Sequence, residues 1–333
     1  MPQVSIILPV YNTATYVKEA ISSLLQQSFS DFELLVIDDA STDGTPDVVE
    51  SIKDNRLKLY VSKENKGRAF ADNWGHSLAT GAYVAKMDGD DICHPLRLEK
   101  QVAFLRTHPK INVIGSQMQN FGAGNYLNRY PQTPEAAKAF TLFGLPVGNP
   151  SVMMRASLFT EKRFSYNALL RQTEDYDFFA RYIHELSVST LPETLLQYRT
   201  YSNKTRAAVL SEREIIANEV RTALLTRWGI PCSSQEIRVH HAVSFTNVQC
   251  YKISLHDCAA WLSKVLAYNR THPWFDAIAL EATVAKLWFY TCYFSKEKNF
   301  KSWTAYHRHA AKKVKGHTAK EQLKFFAKNL IQL

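Results

Sequence analysis

Along the first 110 residues, short β-branched or aromatic runs alternate with stretches of helical spacing. The runs at 4–10 (VSIILPV), 32–38 (FELLVID), 57–62 (LKLYVS) and 82–87 (AYVAKM) predict strands. Between them, Val17, Ile21, Leu24 and Leu25 mark one face of a helix over 15–27, and further helices are expected at 43–53 and 68–79. Pro95 suits the first turn of another helix, over 95–107. This alternation argues for an α/β fold, a mainly parallel sheet flanked by crossover helices. From 111 to 172, Gly and Pro punctuate a less regular pattern (FGAGN, RYPQTP, GLPVGNP); a helix near 174–186 and a strand near 194–199 follow. Beyond Tyr201 the spacing is almost wholly helical, which puts an expected domain boundary near 205, between an α/β domain (1–205) and a helical C-terminal domain (206–333).

Composition changes this picture little, because 46% hydrophobic and 21% charged residues are ordinary for a globular chain of 333 residues. Charge changes it more. Residues 1–200 carry 20 Lys and Arg against 22 Asp and Glu, whereas 201–333 carry 20 against nine, so the whole basic excess lies C-terminal. Such asymmetry points to an anionic partner for that part. No nucleic-acid reading motif is present and no nucleic-acid partner is expected, which leaves an anionic membrane surface; a non-catalytic or nucleic-acid-binding protein is the alternative class. In 319–333, Ala319, Leu323, Phe326, Leu330 and Leu333 share a helical face beside a stripe of Lys320, Lys324 and Lys328. That pattern suits an interfacial helix and equally a final helix docked on its own domain. Trp261, Trp274, Trp288, Phe289, Tyr290 and Trp303 fit either reading.

The five cysteines are scattered without a C-x-x-C pair, which suggests reduced thiols. Cys93-His94 and His240-His241 lack the partners of a zinc site, and the histidine pair reads as surface. The N-terminal segment lacks signal-peptide features, and the most apolar stretch, 277–294, is interrupted by Glu281 and Lys286. The expectation is a cytoplasmic protein, free or held peripherally on the inner face of the membrane.

Candidate chemistry gathers where an open α/β sheet binds ligands, at the carboxyl ends of the strands. The first strand ends in Pro9-Val10-Tyr11-Asn12, the second in Asp38-Asp39 and the fourth in Asp88-Gly89-Asp90-Asp91. Each alone is an ordinary turn sequence; three on one edge indicate a site. A nucleoside diphosphate suits it. Tyr11 can lie on a base, Asp39 can accept from a base N–H, and Gly67-Arg68 offers a backbone turn and a cation. Mg²⁺ or Mn²⁺ takes one or two carboxylates together with substrate phosphates and water, and Gly89 leaves room for the phosphates. A nicotinamide oxidoreductase would carry G-x-G-x-x-G where this chain has PVYNTATY. Thr173 is the expected N-cap of the next helix, with Glu174 and Asp175 in its first turn, where the helix favours ionised carboxylates. Those two acids read either as a base or as complements of the helix dipole.

Taken together, VSIILPVYN, LLVIDDASTDGT, ENKGRAFADNWGHSLATGAYVAKMDGDDICHPLRLEKQ and TEDYDFFAR resemble, in order and spacing, the family 2 glycosyltransferases of the GT-A fold. The resemblance covers residues 4 to about 200. It implies a GT-A catalytic domain over 1–205 and inverting transfer of a hexose or N-acetylhexosamine from a UDP-sugar. Pro9, Tyr11, Asn12 and Asp39 would bind the uridine, with Arg68 near the nucleotide. Asp88 would lie near the ribose, with Gly89 beside it, and Asp90 would hold Mn²⁺ or Mg²⁺ on the diphosphate. Asp91 would contact donor or neighbouring backbone. Asp175 would deprotonate the acceptor hydroxyl, Glu174 would orient acceptor or base, and Asp177 would face elsewhere. GNPSVMMR resembles the segment under the acceptor, with Asn149 a candidate contact. Together with YRTYSNKTR, it looks most like relatives that add N-acetylglucosamine or galactose to lipooligosaccharide. The implied acceptor is a glycan or lipid-linked glycan of surface polysaccharide or lipooligosaccharide assembly. One position departs from the pattern. Many relatives have a histidine near metal or diphosphate where this chain has Tyr201, which makes Lys204 and Arg206 candidate cations for the phosphates.

Overall fold

A computed structural model describes residues 1–202, 205–245, 251–295, 300–308 and 318–331, with the side chains of 205–211 and 329–331 left aside. The first half runs β1 (Val4–Val10), α1 (Val17–Leu25), β2 (Phe32–Asp38), α2 (Thr45–Glu50), β3 (Leu57–Val61), α3 (Arg68–Leu78) and β4 (Tyr83–Lys86). Next come β5 (Ile92–Cys93), α4 (Arg97–Thr107), β6 (Val113–Gly122), β7 (Leu127–Asn128), α5 (Pro134–Thr141), β8 (Met153–Arg155) and α6 (Ser157–Thr160). The chain continues with α7 (Glu174–Tyr182), β9 (Val188–Thr200), α8 (Thr205–Trp228) and α9 (Ser234–Ser244). Four helices follow: α10 (Leu255–Thr271), α11 (Ala277–Phe294), α12 (Lys301–Arg308) and α13 (Ala319–Ile331).

One mixed sheet has the order β3-β2-β1-β4-β8-β6-β9-β5, with β7 on β6. The first four strands are parallel, and β8 joins antiparallel to β4. Alternation along β1 and β2 builds two layers. Ile6, Leu8, Leu34 and Val36 belong to a core with Val17, Ile21, Leu98 and Val102; Ile7, Leu35 and Ile37 belong to another with Ala71. Helix α3 lies so close over β1 that a Cβ on Gly75 would come within 2.5 Å of Ile7 Cγ2.

The strand expected near 194–199 is the end of the longer β9, and β6 lies inside the segment that reads as irregular. Its apolar run is broken by Gly115, Ser116, Gln117 and Gln119. The Gln117 amide donates to Tyr130 O (3.2 Å) and accepts from Tyr130 N (2.7 Å), so a polar residue is satisfied in a buried strand. A side chain that answers a distant backbone carries no periodic signal.

Two buried cations brace the centre of the sheet. Lys86, fully buried, pairs with buried Asp72 of α3, and its ammonium lies 4.2 Å from the centre of the Tyr166 ring. Arg97, also fully buried, donates to Lys86 O (2.7 Å) and Val152 O (3.1 Å), tying the end of β4 to the segment before β8.

By contacts the chain divides into two units, Met1–Ala137 with Leu145–Ala217, and Lys138–Gly144 with Asn218–Leu333. In the second unit His240 is fully buried, not at the surface: Trp261 Nε1 donates to its Nδ1 (3.2 Å), leaving Nε2–H to donate to Leu142 O (3.0 Å). Trp261 and Trp288 are core residues. Helix α13 docks through a face other than the expected one. Phe325 is completely buried against Phe289, Tyr293, Trp303 and Tyr306, and Tyr290 Oη donates to Glu321 (2.7 Å). Lys328 turns inward to the carbonyls of Tyr293 and Ser295 at the C-terminal end of α11, where a helix attracts a cation. Leu323 and Phe326 stay 68% and 40% exposed, and Leu330's side chain and Leu333 lie outside the described residues. Among the described residues, no helix is long and apolar enough to cross a membrane.

Breaking the Lys86–Asp72 pair leaves a buried carboxylate without its counter-charge. Lys86→Met should therefore lose about 3–5 kcal/mol in urea unfolding, and adding Asp72→Asn should recover part of it. A loss under about 1 kcal/mol in the single variant would show that water reaches the pair.

Candidate active site

The parallel register aligns the carboxyl ends of β1, β2 and β4 on one edge, with Val10 opposite Asp38. A cavity of about 650 Å³ opens there, lined by Pro9, Tyr11, Asp39, Arg68, Asp88, Gly89 and Asp90 among others. Seven candidate residues from four chain segments thus converge. Asn12 does not line the cavity. Its backbone has φ +52°, its N–H donates to Ser41 Oγ (2.8 Å), and its Oδ1 accepts from Thr42 N (2.8 Å), so it ties the β1–α1 loop to the β2–α2 loop.

Tyr11 remains 49% exposed, its ring available to a planar group. Asp39 is buried and accepts from the amides of Lys66 (2.9 Å) and Gly67 (2.7 Å), folding the turn before α3 against the end of β2. That turn needs glycine, since Gly67 has φ +92°. At Gly89 the reason is contact: a Cβ would come within 2.7 Å of Val10 Cγ1. The glycine lets the acidic turn lie directly on the end of β1.

Carboxylate oxygens of Asp88, Asp90 and Asp91 lie within 4.8 Å of one another, close enough to share a hard cation. Asp91 is fully buried. One of its oxygens accepts from Arg199 N (2.9 Å) while the other has no hydrogen-bond partner among the described residues, and burial with the nearby Asp90 charge pushes its pKa well up. The end of β9 clamps this turn. Arg199 donates to Asp90 O (2.8 Å) and pairs with Glu19 (2.7 Å), its guanidinium 4.4 Å from the rings of both Tyr16 and Phe121. Tyr201 donates its hydroxyl to Asp90 Oδ2 at 2.6 Å. Burial and that bond to Asp90 raise the phenol's pKa.

Arg68 stands between two acids, paired with Asp88 through Nη2 and 3.6 Å from Glu174 Oε1 through Nε. Glu174 is buried; desolvation first, then the neighbouring Asp175 charge, push its pKa to about 7 against the pull of Arg68. Asp175 Oδ1 accepts from Tyr176 N (2.7 Å) in the first turn of α7, and Asp177 turns away to Arg181 (2.7 Å). Neither Glu174 nor Asp175 is among the residues lining the cavity. Thr173 occupies the N-cap position without capping. Its φ of +63° turns the side chain aside, and Oγ1 donates instead to Arg213 O (3.3 Å). Asn149 is buried, its Oδ1 3.5 Å from Tyr166 Oη, and lies outside the cavity lining. Cys93 is buried with its thiol pKa raised, while His94 is exposed and its Nδ1 accepts from Leu96 N (3.2 Å).

Arg171, Gln172, Tyr198, Arg199 and Arg213 also line the cavity, and none was expected from the sequence. They sit on loop 171–172, the end of β9 and the interior of α8, where no strand-end motif marks them. Lys204 lies outside the described residues, as does the side chain of Arg206.

The family description "Glycosyl transferase family 2" matches residues 5–169. EpsE of Bacillus subtilis, named as a glycosyltransferase, is 39% identical over 193 residues, covering 55% of this chain and 68% of EpsE. An uncharacterized glycosyltransferase of Haemophilus influenzae is 29% identical over 265 residues, 74% of this chain and 80% of its own. Among solved structures, S. aureus TarS 1–349 in complex with UDP-GlcNAc matches with TM-score 0.60 at 21% identity, covering 91% of this chain and 89% of TarS 1–349. The mannosyltransferase PcManGT of Pyrobaculum calidifontis, in complex with GDP-Man and Mn²⁺, matches with TM-score 0.54 at 19% identity, over 99% and 87% of the two chains.

The raised pKa of Glu174 has a signed consequence for stability. With its folded value near 7 above the ordinary 4.5, the native chain holds the extra proton between those limits, so stability falls as pH rises through the window. Glu174→Gln removes that slope. Urea unfolding at pH 5 and pH 8 should show Glu174→Gln gaining on wild type by up to about 3 kcal/mol at the higher pH. A gap that stays constant with pH would mean Glu174 ionises normally.

Proposed function

The chain belongs to glycosyl transferase family 2, with the GT-A fold, and from that membership we propose an inverting enzyme that takes its sugar from a UDP-sugar. The observation that carries the reading is the convergence of Tyr11, Asp39, Asp88 and Asp90 on one cavity at the carboxyl edge of the sheet. Pro9 and Tyr11 meet the uracil, and Asp39 the base N–H; Asn12 supports them by fastening the adjoining loops. Asp88 lies toward the ribose, beside Gly89 and Arg68. Asp90, with Asp88 and Asp91 within reach, has the oxygen donor set for Mn²⁺ or Mg²⁺. When bound, the cation supplies positive charge that stabilises the departing diphosphate.

Asp175 is the base. Its carboxylate sits in the first turn of α7, where Oδ1 accepts from the Tyr176 N–H. It accepts the proton of the acceptor hydroxyl as the oxygen bonds to the anomeric carbon and the bond from that carbon to the diphosphate oxygen breaks, which inverts the centre. Glu174, held beside Arg68, orients the acceptor or the base. The sugar is a hexose or N-acetylhexosamine, with N-acetylglucosamine or galactose the best fit to the sequence resemblance.

The acceptor is a glycan or lipid-linked glycan of surface polysaccharide or lipooligosaccharide assembly. Residues 1–205, joined at the cavity by Arg213, bind donor and acceptor, and the rest of the basic region 206–333 meets an anionic leaflet from the cytoplasmic side. Exposed Leu323 and Phe326 beside exposed Lys320 and Lys324 support that role for α13.

In thermal denaturation, UDP should raise the Tm of wild type much more with Mn²⁺ than with EDTA, Asp90→Ala should lose the difference, and Asp175→Asn should keep it. Transfer by Asp175→Asn should fall about 10²–10⁴-fold, and NMR of the wild-type product should show inverted anomeric configuration. Equal UDP protection in EDTA would remove the metal role, and a retained configuration would remove the mechanism. For the surface role, Leu323→Glu with Phe326→Glu should release the protein from phosphatidylserine vesicles while leaving turnover of a short soluble acceptor unchanged. Undiminished vesicle binding by that double variant would place the contact elsewhere.

A further inference from the structure

Four arginines line the cavity: Arg68, Arg171, Arg199 and Arg213. Two are committed to carboxylates, Arg68 to Asp88 and Glu174, and Arg199 to Glu19. The other two meet only neutral amide oxygens among the described residues. Arg171 Nη1 donates to Asn65 Oδ1 (3.1 Å), and Arg213 Nε donates to Gln172 Oε1 (2.8 Å). Both are exposed, and neither forms an ion pair among the described residues. A neutral amide fixes a guanidinium's direction and leaves its charge uncompensated, whereas a carboxylate would neutralise it.

The anchor of Arg171, Asn65, stands on the nucleotide side of the cavity, bonded to Asp39 O (3.3 Å), and that of Arg213, Gln172, stands just before α7. Arg171 Nη1 lies 3.0 Å from where a Cβ on Gly67 would be, and Gly67 N donates to Asp39. The backbone oxygen of Arg213 accepts from Thr173 at the start of α7. On this face, Tyr201 bonds to Asp90 through its hydroxyl, so it brings no cation to the phosphates.

We propose that Arg171 and Arg213 bind phosphate oxygens of the substrate, and that the source is the diphosphate of the nucleotide donor. The chemistry is anion recognition by two guanidinium groups, each already aimed by a side-chain amide. This assignment rests on the nucleotide-sugar reading of the cavity and adds to it the residues that receive the leaving group's charge.

Calorimetric titration with UDP in Mn²⁺, on wild type, Arg171→Gln and Arg213→Gln, tests it, with uridine as the phosphate-free probe. Each variant should bind UDP about 10-fold to 100-fold more weakly, the range of a lost charge-assisted hydrogen bond, and bind uridine as wild type does. Arg171→Lys should recover part of the UDP affinity. If wild type binds no UDP, the nucleotide-sugar reading itself fails, and this proposal with it. If Asp90→Ala weakens UDP while both arginine variants bind it normally, the reading survives and the arginine assignment is overturned. Normal UDP binding by those variants with loss of affinity for a phosphate-bearing acceptor would transfer the pair to the acceptor, and it would also overturn the donor assignment.

Discussion

The site turns on one guanidinium. Arg68 begins α3 at the carboxyl edge of the sheet and pairs with Asp88 after β4 and with Glu174 at the start of α7. Without that cation, Asp88, Glu174 and Asp175 would face one another in a partly desolvated space, at a cost of several kcal/mol. With it, the acids after β4 and the acids of α7 share one counter-charge. The carboxylates assigned to donor and acceptor chemistry therefore cannot be placed independently of each other.

Behind Arg68 the same economy repeats in deeper layers. Lys86 and Asp72 neutralise each other inside the core, and Arg97 takes up the carbonyls at Lys86 and Val152. These contacts fix where β4 stops and hence where the acidic turn begins. The turn is then held from outside by β9, through Arg199 and Tyr201. A departure from the family pattern at Tyr201 thus has a local account, since its hydroxyl donates to Asp90 Oδ2.

The strand-end residues were legible because an α/β sheet gathers the ends of its parallel strands by construction. Pro9, Tyr11, Asp39, Asp88 and Asp90 needed only an ordered set of strands to be brought together, and local periodicity supplies that order. Glu174 and Asp175 were legible as acids in a first helical turn and through their resemblance to a known motif. Asn12 shows where such reading stops, because a strand-end asparagine looks the same whether it faces a ligand or fastens two loops.

By itself the sequence determined the alternating strands and helices, the acidic strand end, the basic excess of the C-terminal part and the family. Only the tertiary structure decided how charges pair: Arg68 with Glu174 across 106 positions, Arg199 with Glu19 across 180, Tyr201 with Asp90 across 111. It also decided that Gln117 in β6 is satisfied by Tyr130, that His240 is buried and that Phe325, not Phe326, is the residue α13 commits to its core. The physical reason is the range of the forces. Backbone preference and amphipathic spacing act over a few residues and leave a periodic trace, whereas a buried polar or charged group takes whichever partner the fold brings within about 3 Å, at any separation along the chain.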